Sequence, residues 1–136
     1  MKRNQMTSKR VERNLLIDII FWLHLPIVLI WFGAFFVPLS LWPGRINFNF
    51  WFISILLFVQ LIWGTILSPK TKKIDFICPL TTLMQSLRGY PVENEKNFNH
   101  SFMAELFEKL RLKISFFGVD VLLWITFIIV SIQYFW

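Results

Sequence analysis

Four polar side chains interrupt long apolar runs, and chemistry in this sequence would have to pass through them. Asp18 and His24 lie within 15–41, Gln60 within 47–67 and Asp120 within 114–136. A strongly polar group in such a run costs free energy and normally faces the interior of a helix bundle. At a helical rise of about 1.5 Å per residue from inner boundaries at Leu15, Leu67 and Ile114, Asp18 lies about 5 Å deep, Asp120 about 9 Å, Gln60 about 10 Å and His24 about 14 Å. Asp18 and His24 are six residues apart and point to different sides of one helix, so His24 needs a partner from another helix, or water. Asp120 and Gln60 are at a suitable level. Three chemistries fit this set. The first is structural, buried hydrogen bonds that fix helix packing, and it is the expectation. The second is proton or ion handling through His24 and Asp120. The third is haem, for which one His24 supplies one axial ligand and a dimer would have to supply the other. No HxxxH or CxxC spacing supports a metal site, and no Gly-rich phosphate loop, GxSxG or spaced nucleophile–base pair declares a catalytic residue.

The elements that must position these groups are helices in a membrane. The chain has 136 residues, is 56% hydrophobic and includes 16 Phe and 7 Trp, more apolar surface than a soluble fold of one domain can hide. The run LLIDIIFWLHLPIVLIWFGAFFVPLSL from Leu15 to Leu41 exceeds the roughly 20 residues that cross a bilayer. It is also too long for the apolar core of a signal peptide, and no small-x-small cleavage site follows it, so an uncleaved anchor is expected. Spans are expected at 15–38, 47–67 and 114–135, giving an all-α integral membrane domain with three transmembrane helices. Asn14 is placed to cap the first, Pro26 to kink it, and Ser68-Pro69 to stop the second. The basic segment 1–13 reads as a tail beside anionic headgroups.

Between the second and third spans, 76–113 reads as an amphipathic cytoplasmic segment. Leu80, Leu83, Met84 and Leu87 share a helical face, with Pro79 at its start and Gly89 just past its end. A second helix is expected from about Asn99, with Phe98, Phe102, Met103, Leu106, Phe107 and Leu110 as its apolar stripe and no proline to separate it from the third span. Both are expected in the inner headgroup layer or as a cap on the bundle. Lysine and arginine number five before the first span, one (Arg45) in the first loop and eight in the long segment. The positive-inside rule then puts the N-terminus and the long segment in the cytoplasm and the C-terminus outside. That placement accounts for the basic charge without nucleic acid. The single Cys78 excludes an intramolecular disulfide, and its default role is packing at a helix start, with palmitoylation the other reading.

The order Asp18, His24, Gly33, Trp42, Trp63-Gly64, then Cys78-Pro79-Leu80-Thr81 with Leu87-Arg88, then Gly118 and Tyr134 resembles a family of small bacterial inner-membrane proteins catalogued as a domain of unknown function (number 2784). The CPLT…LR segment is its most specific part. The chain departs from that pattern at Met84, where an acidic residue is usual, in having no histidine within 47–67, and in the charged insert from Lys70 to Asp75. Those departures weigh against a two-histidine site. The resemblance implies an inner-membrane location and brings no activity with it. The sequence therefore points to a non-enzymatic small subunit or scaffold whose partners are the lipid bilayer and other membrane subunits or a second copy. The alternative is a proton- or redox-coupled membrane protein using His24 and Asp120. No cofactor is expected; haem at a dimer interface is the variant that remains.

Overall fold

The computed structural model describes residues 2–97 and 101–136, without the side chains of 2–9, 101 and 116. All regular structure among them is helical: α1 (Lys2–Phe36), α2 (Arg45–Thr71), α3 (Pro79–Leu87), a 3-10 turn at Glu95–Asn97, α4 (Ser101–Lys109) and α5 (Phe116–Phe135). Three of these, α1, α2 and α5, are long and apolar enough to cross a membrane. Large apolar side chains point outward along all three, among them Trp22, Leu29, Phe58, Ile66, Ile128 and Ile132. Such faces are stable only against hydrocarbon or a partner.

Helix boundaries differ from the sequence reading in ways that local chemistry explains. α1 starts at Lys2 and passes through Asn14 without a cap, because 2–25 contains no glycine or proline and is rich in good helix formers. Pro26 stands inside this continuous helix. α2 passes Ser68-Pro69 and ends at Thr71. Proline cannot donate to the carbonyl four residues back, Thr65, and the Ser68 hydroxyl donates to that oxygen instead at 2.7 Å. α4 does not run into α5. Arg111 takes a left-handed conformation (φ 62°), and the N–H groups of Arg111 and Leu112 close onto Glu108 and Phe107, a Schellman ending. Ser115 then caps α5 by accepting from the Gly118 N–H at 3.1 Å. The expected stop at Gly89 is present, with φ 87° and the same pair of closing bonds from Gly89 and Tyr90. Phe98 and His100 lie outside the described residues.

The three long helices pack around Ile20, Phe21, Trp31, Ile53, Val119, Leu123 and Val130. The Trp31 indole donates to the Thr126 hydroxyl at 3.0 Å, which donates to the Leu123 carbonyl at 2.8 Å, tying α1 to α5 through buried groups. Phe50 stacks on Tyr134 at 4.1 Å near the opposite end of the α2–α5 pair. In the first loop, Arg45 donates to the Phe35 and Val37 carbonyls, satisfying oxygens at the negative end of α1.

The connection from α2 to α3 folds back on α2. Gly64 has no side chain where the Asp75 carbonyl packs against it, and the Ile77 N–H donates to the Gln60 carbonyl at 3.3 Å. Four helical residues (64 to 60) rise about 6 Å. Two extended residues (75 to 77) cover about 6.6 Å. The matching rises mean that 74–77 runs antiparallel beside α2, away from its end at Thr71. α3 then starts at the level of Gln60 and returns, with Trp63 donating to Thr82 at 3.2 Å.

Candidate functional site

Cys78 is the turning point of that hairpin, and it meets the first helix there. Its sulfur lies 3.6 Å from His24 Nε2. The imidazole is stacked flat on Phe102 of α4, with ring centroids 3.8 Å apart and planes 4° from parallel. Burial pushes the Cys78 thiol up, partly offset by backbone N–H groups of Thr81 and Leu80 and by the Thr81 side chain. A thiol and a ring nitrogen at this distance share one proton in either direction, set by the imidazole tautomer.

His24 and Cys78 open onto a cavity of about 210 Å3 between α1, α2 and the start of α3, with Met103 and Phe102 of α4 and Leu123 of α5 closing its floor. Its wall is apolar and aromatic (Ile27, Trp31, Phe32, Leu56, Val59), broken by four polar residues: His24, Gln60, Cys78 and Thr81. Gln60 is 9% exposed, and its Oε1 meets no hydrogen-bond partner among the described residues. His24 and Gln60 are 36 positions apart and Cys78 lies 18 beyond Gln60, and the back-folded hairpin brings Cys78 and Thr81 up to the other two.

Of the residues singled out from sequence, His24 and Gln60 share this cavity. Asp120 is half-buried next to the fully buried Val119 and is not part of its wall. Asp18 is exposed on α1. Its charge reaches Arg88, whose guanidinium is held protonated chiefly by Glu105, with Asp18 a smaller contributor. The CPLT segment supplies the turn: Cys78 the contact to His24, Pro79 the first helical position, Leu80 and Thr81 the cavity wall. Leu87 packs against the core, and Arg88 makes a two-bond pair with Glu105 at 2.7 and 2.9 Å.

The buried face of α3 keeps Leu80, Met84 and Leu87 of the expected stripe and adds polar groups to it. Met84 is buried as foreseen, but Leu83 is 50% exposed, while Thr81, Thr82 and Gln85 are buried. Thr81, Thr82 and Gln85 thus point into the bundle with Met84, and Leu83 points out. On α4, Phe102 and Met103 are buried and Leu110 is exposed. Residues that the sequence reading passed over are Trp31, Phe102 and Leu123 as cavity walls, and Trp63 as the donor that holds α3. Gly64 was the available signal, noted only beside Trp63 in the resemblance.

Among the described residues, no three of His, Cys, Asp and Glu are grouped to hold a metal ion. An axial haem ligand shared with a second copy would need an imidazole nitrogen presented at the surface. His24 is 7% exposed, with Nε2 on Cys78 and one ring face on Phe102, and does not fit that role. Comparison with family models, with curated proteins and with solved structures finds no match.

Proposed function

We propose that this is a multi-pass protein of a cell's inner membrane, N-terminus in the cytoplasm and C-terminus outside, whose activity is to bind a small membrane-dissolved molecule rather than to transform one. In this reading 72–88 is a re-entrant hairpin that dips into the bundle from the cytoplasmic side and closes the cavity. The observation that carries it is the meeting of His24, Gln60, Cys78 and Thr81 on one otherwise apolar cavity. The outward Leu83 and buried Thr81, Thr82 and Gln85 support immersion of α3. Irregular backbone such as 72–78 is tolerated at membrane depth where protein covers it, and the Gly64 and Gln60 contacts supply that cover. The most specific part of the resemblance to the inner-membrane family, Cys78-Pro79-Leu80-Thr81, is the part that builds the turn.

A cysteine touching a histidine is also the layout of a nucleophile pair. The cavity beside that pair, lined mostly by apolar side chains, is the feature on which the binding reading rests. A scaffold role within a larger complex is compatible with the same cavity. Proton transfer through His24 and Asp120 draws less support, since Asp120 stands outside the cavity wall.

Cys78 is the only cysteine, which makes the test direct. In proteoliposomes, neutral N-ethylmaleimide, which dissolves in lipid, is expected to label Cys78. A sulfonated, membrane-impermeant maleimide is expected to react at least about tenfold more slowly from either side, as burial at membrane depth requires. Equal rates for the two reagents would place Cys78 at an aqueous surface and remove the re-entrant hairpin.

A further inference from the structure

A second depression lies outside the cavity of His24 and Cys78, where the end of α3, the 3-10 turn and α4 meet, and its lining is ionic. We infer that it seats the phosphodiester of a singly charged anionic phospholipid, held by Arg88, Lys96 and Lys109, with Glu105 and Glu108 turning away more highly charged phosphates. The site is separate from the His24 cavity and does not rest on what that cavity holds.

The depression measures about 590 Å3, nearly three times the apolar cavity. Two interactions with α1 fix its level. The Lys109 ammonium lies 3.8 Å above the centre of the Phe21 ring, and Asp18 is close enough for its charge to act on Arg88. Both α1 residues stand in the first two turns of the apolar run, just past the basic segment that ends at Arg13. That is the level at which lipid headgroups meet a span. Apolar surface for the lipid's chains adjoins it: Trp22, edge-on to Phe21, is 65% exposed, and Leu110, next to Lys109, is 61% exposed. Acyl chains cover such side chains, whereas a soluble anion gains nothing from them.

Three cations from three elements line this one space. Arg88 uses two N–H groups on Glu105, and a guanidinium has five. Lys96 gives a proton to the Tyr90 hydroxyl at 2.8 Å, and Lys109 lies 3.9 Å from Glu105; an ammonium has three protons. Such groups bind phosphate oxygens through short charge-assisted bonds. The carboxylates set how much negative charge is tolerated. Glu105 is held between Arg88 and Lys109, and Glu108 is exposed on the same rim. Three positive charges against two negative ones leave one net positive charge, which a single phosphodiester neutralises. A phosphomonoester carries about −1.5 to −2 at pH 7, and its extra charge would meet Glu108 with no cation left to offset it. A patch of lysine and arginine alone would rank the two headgroups the other way.

The test is native mass spectrometry of the full chain released from detergent micelles that contain phosphatidylglycerol, phosphatidic acid or phosphatidylcholine with the same acyl chains. Phosphatidylglycerol is expected to give a one-lipid adduct at about fivefold lower lipid concentration than either of the others, the worth of one charge contact at a membrane surface. Lys109→Gln and Lys96→Gln should each raise that concentration about fivefold, and either suffices if the other fails to fold. Lys70→Gln, which removes the same charge outside the depression, should leave it within about twofold. Glu108→Gln should bring phosphatidic acid level with phosphatidylglycerol. Tighter binding of phosphatidic acid by the unchanged protein would overturn the selection by the carboxylates. Equal losses in Lys70→Gln and the two depression variants would reduce the preference to general surface charge and overturn the site. Dimethyl phosphate, a soluble phosphodiester, serves as competitor: displacement of the lipid at equal concentration would overturn the lipid as the source of the phosphodiester.

Discussion

Single residues carry several of the joints between helices. The Arg88–Glu105 pair is the clearest outside the long helices: two short bonds, side chains only 27% and 24% exposed, and a link between the end of α3 and the middle of α4. The hydrogen bonds from Arg88, more than its charge alone, hold the Glu105 carboxyl below the usual carboxylate range, against the opposing effect of burial. A carboxylate held low in the folded chain contributes stability that is complete above its unfolded pKa of about 4.3. That contribution is lost as pH falls through the folded value. Glu105→Gln is therefore expected to lower stability by about 1 kcal/mol at neutral pH, partly buried bidentate pairs being worth more than exposed ones. The difference from the unchanged protein should shrink below pH 4.3 or so. Denaturant titrations of both proteins in detergent across pH 3–7 would check this, and a gap that stays constant across that range would show that the pair is not the source.

At the scale of elements, the hairpin of 72–88 depends on one glycine. An added methyl at Gly64 would collide with the Asp75 backbone, and backbone cannot move aside as a flexible side chain can. Gly64→Ala is expected to lift 74–77 off α2, break the Ile77–Gln60 bond and cost about 1–3 kcal/mol, the usual range for overpacking. The cavity should open with it, so Cys78 labelling by the impermeant maleimide should accelerate. An unchanged labelling rate with unchanged stability would mean that the strap does not press on α2. The contrast between Gly64 and the long helices shows which features a sequence declares. The spans were legible because uninterrupted apolar runs are a local property, and the end of α3 was legible because Pro79 and Gly89 mark it locally. The face that α3 buries was legible only in part. Amphipathic periodicity put Leu80, Leu83, Met84 and Leu87 on one side of the helix, and three of them pack against the core while Leu83 stays exposed. Likewise the shared depth of His24 and Gln60 followed from counting helical rise, whereas Cys78 joined them only through a chain reversal that no periodicity records. Asp120 is not in the cavity wall, whereas Leu123, three residues further along α5, is.

For the whole molecule, the charge distribution and the hairpin make one geometric demand. Lys70, Lys72 and Lys73 fall at the end of α2, where the chain turns back, and the eight basic residues of 70–113 all precede α5. If the hairpin enters from the cytoplasmic side and returns to it, it adds no crossing, and α1, α2 and α5 alone set the topology. Arg45 in the opposite loop does not argue against this orientation. Its guanidinium is committed to the Phe35 and Val37 carbonyls, so it acts on the end of α1. Three crossings then put the two termini on opposite sides of the membrane. A reporter active only outside the cytoplasm, fused after Trp136, is expected to be active, and the same reporter fused after Gly89 is expected to be silent. The second fusion separates re-entry from a full crossing: a hairpin that went through would carry Gly89 to the outer side and switch that reporter on. Activity after Gly89, or silence after Trp136, would overturn the three-crossing arrangement.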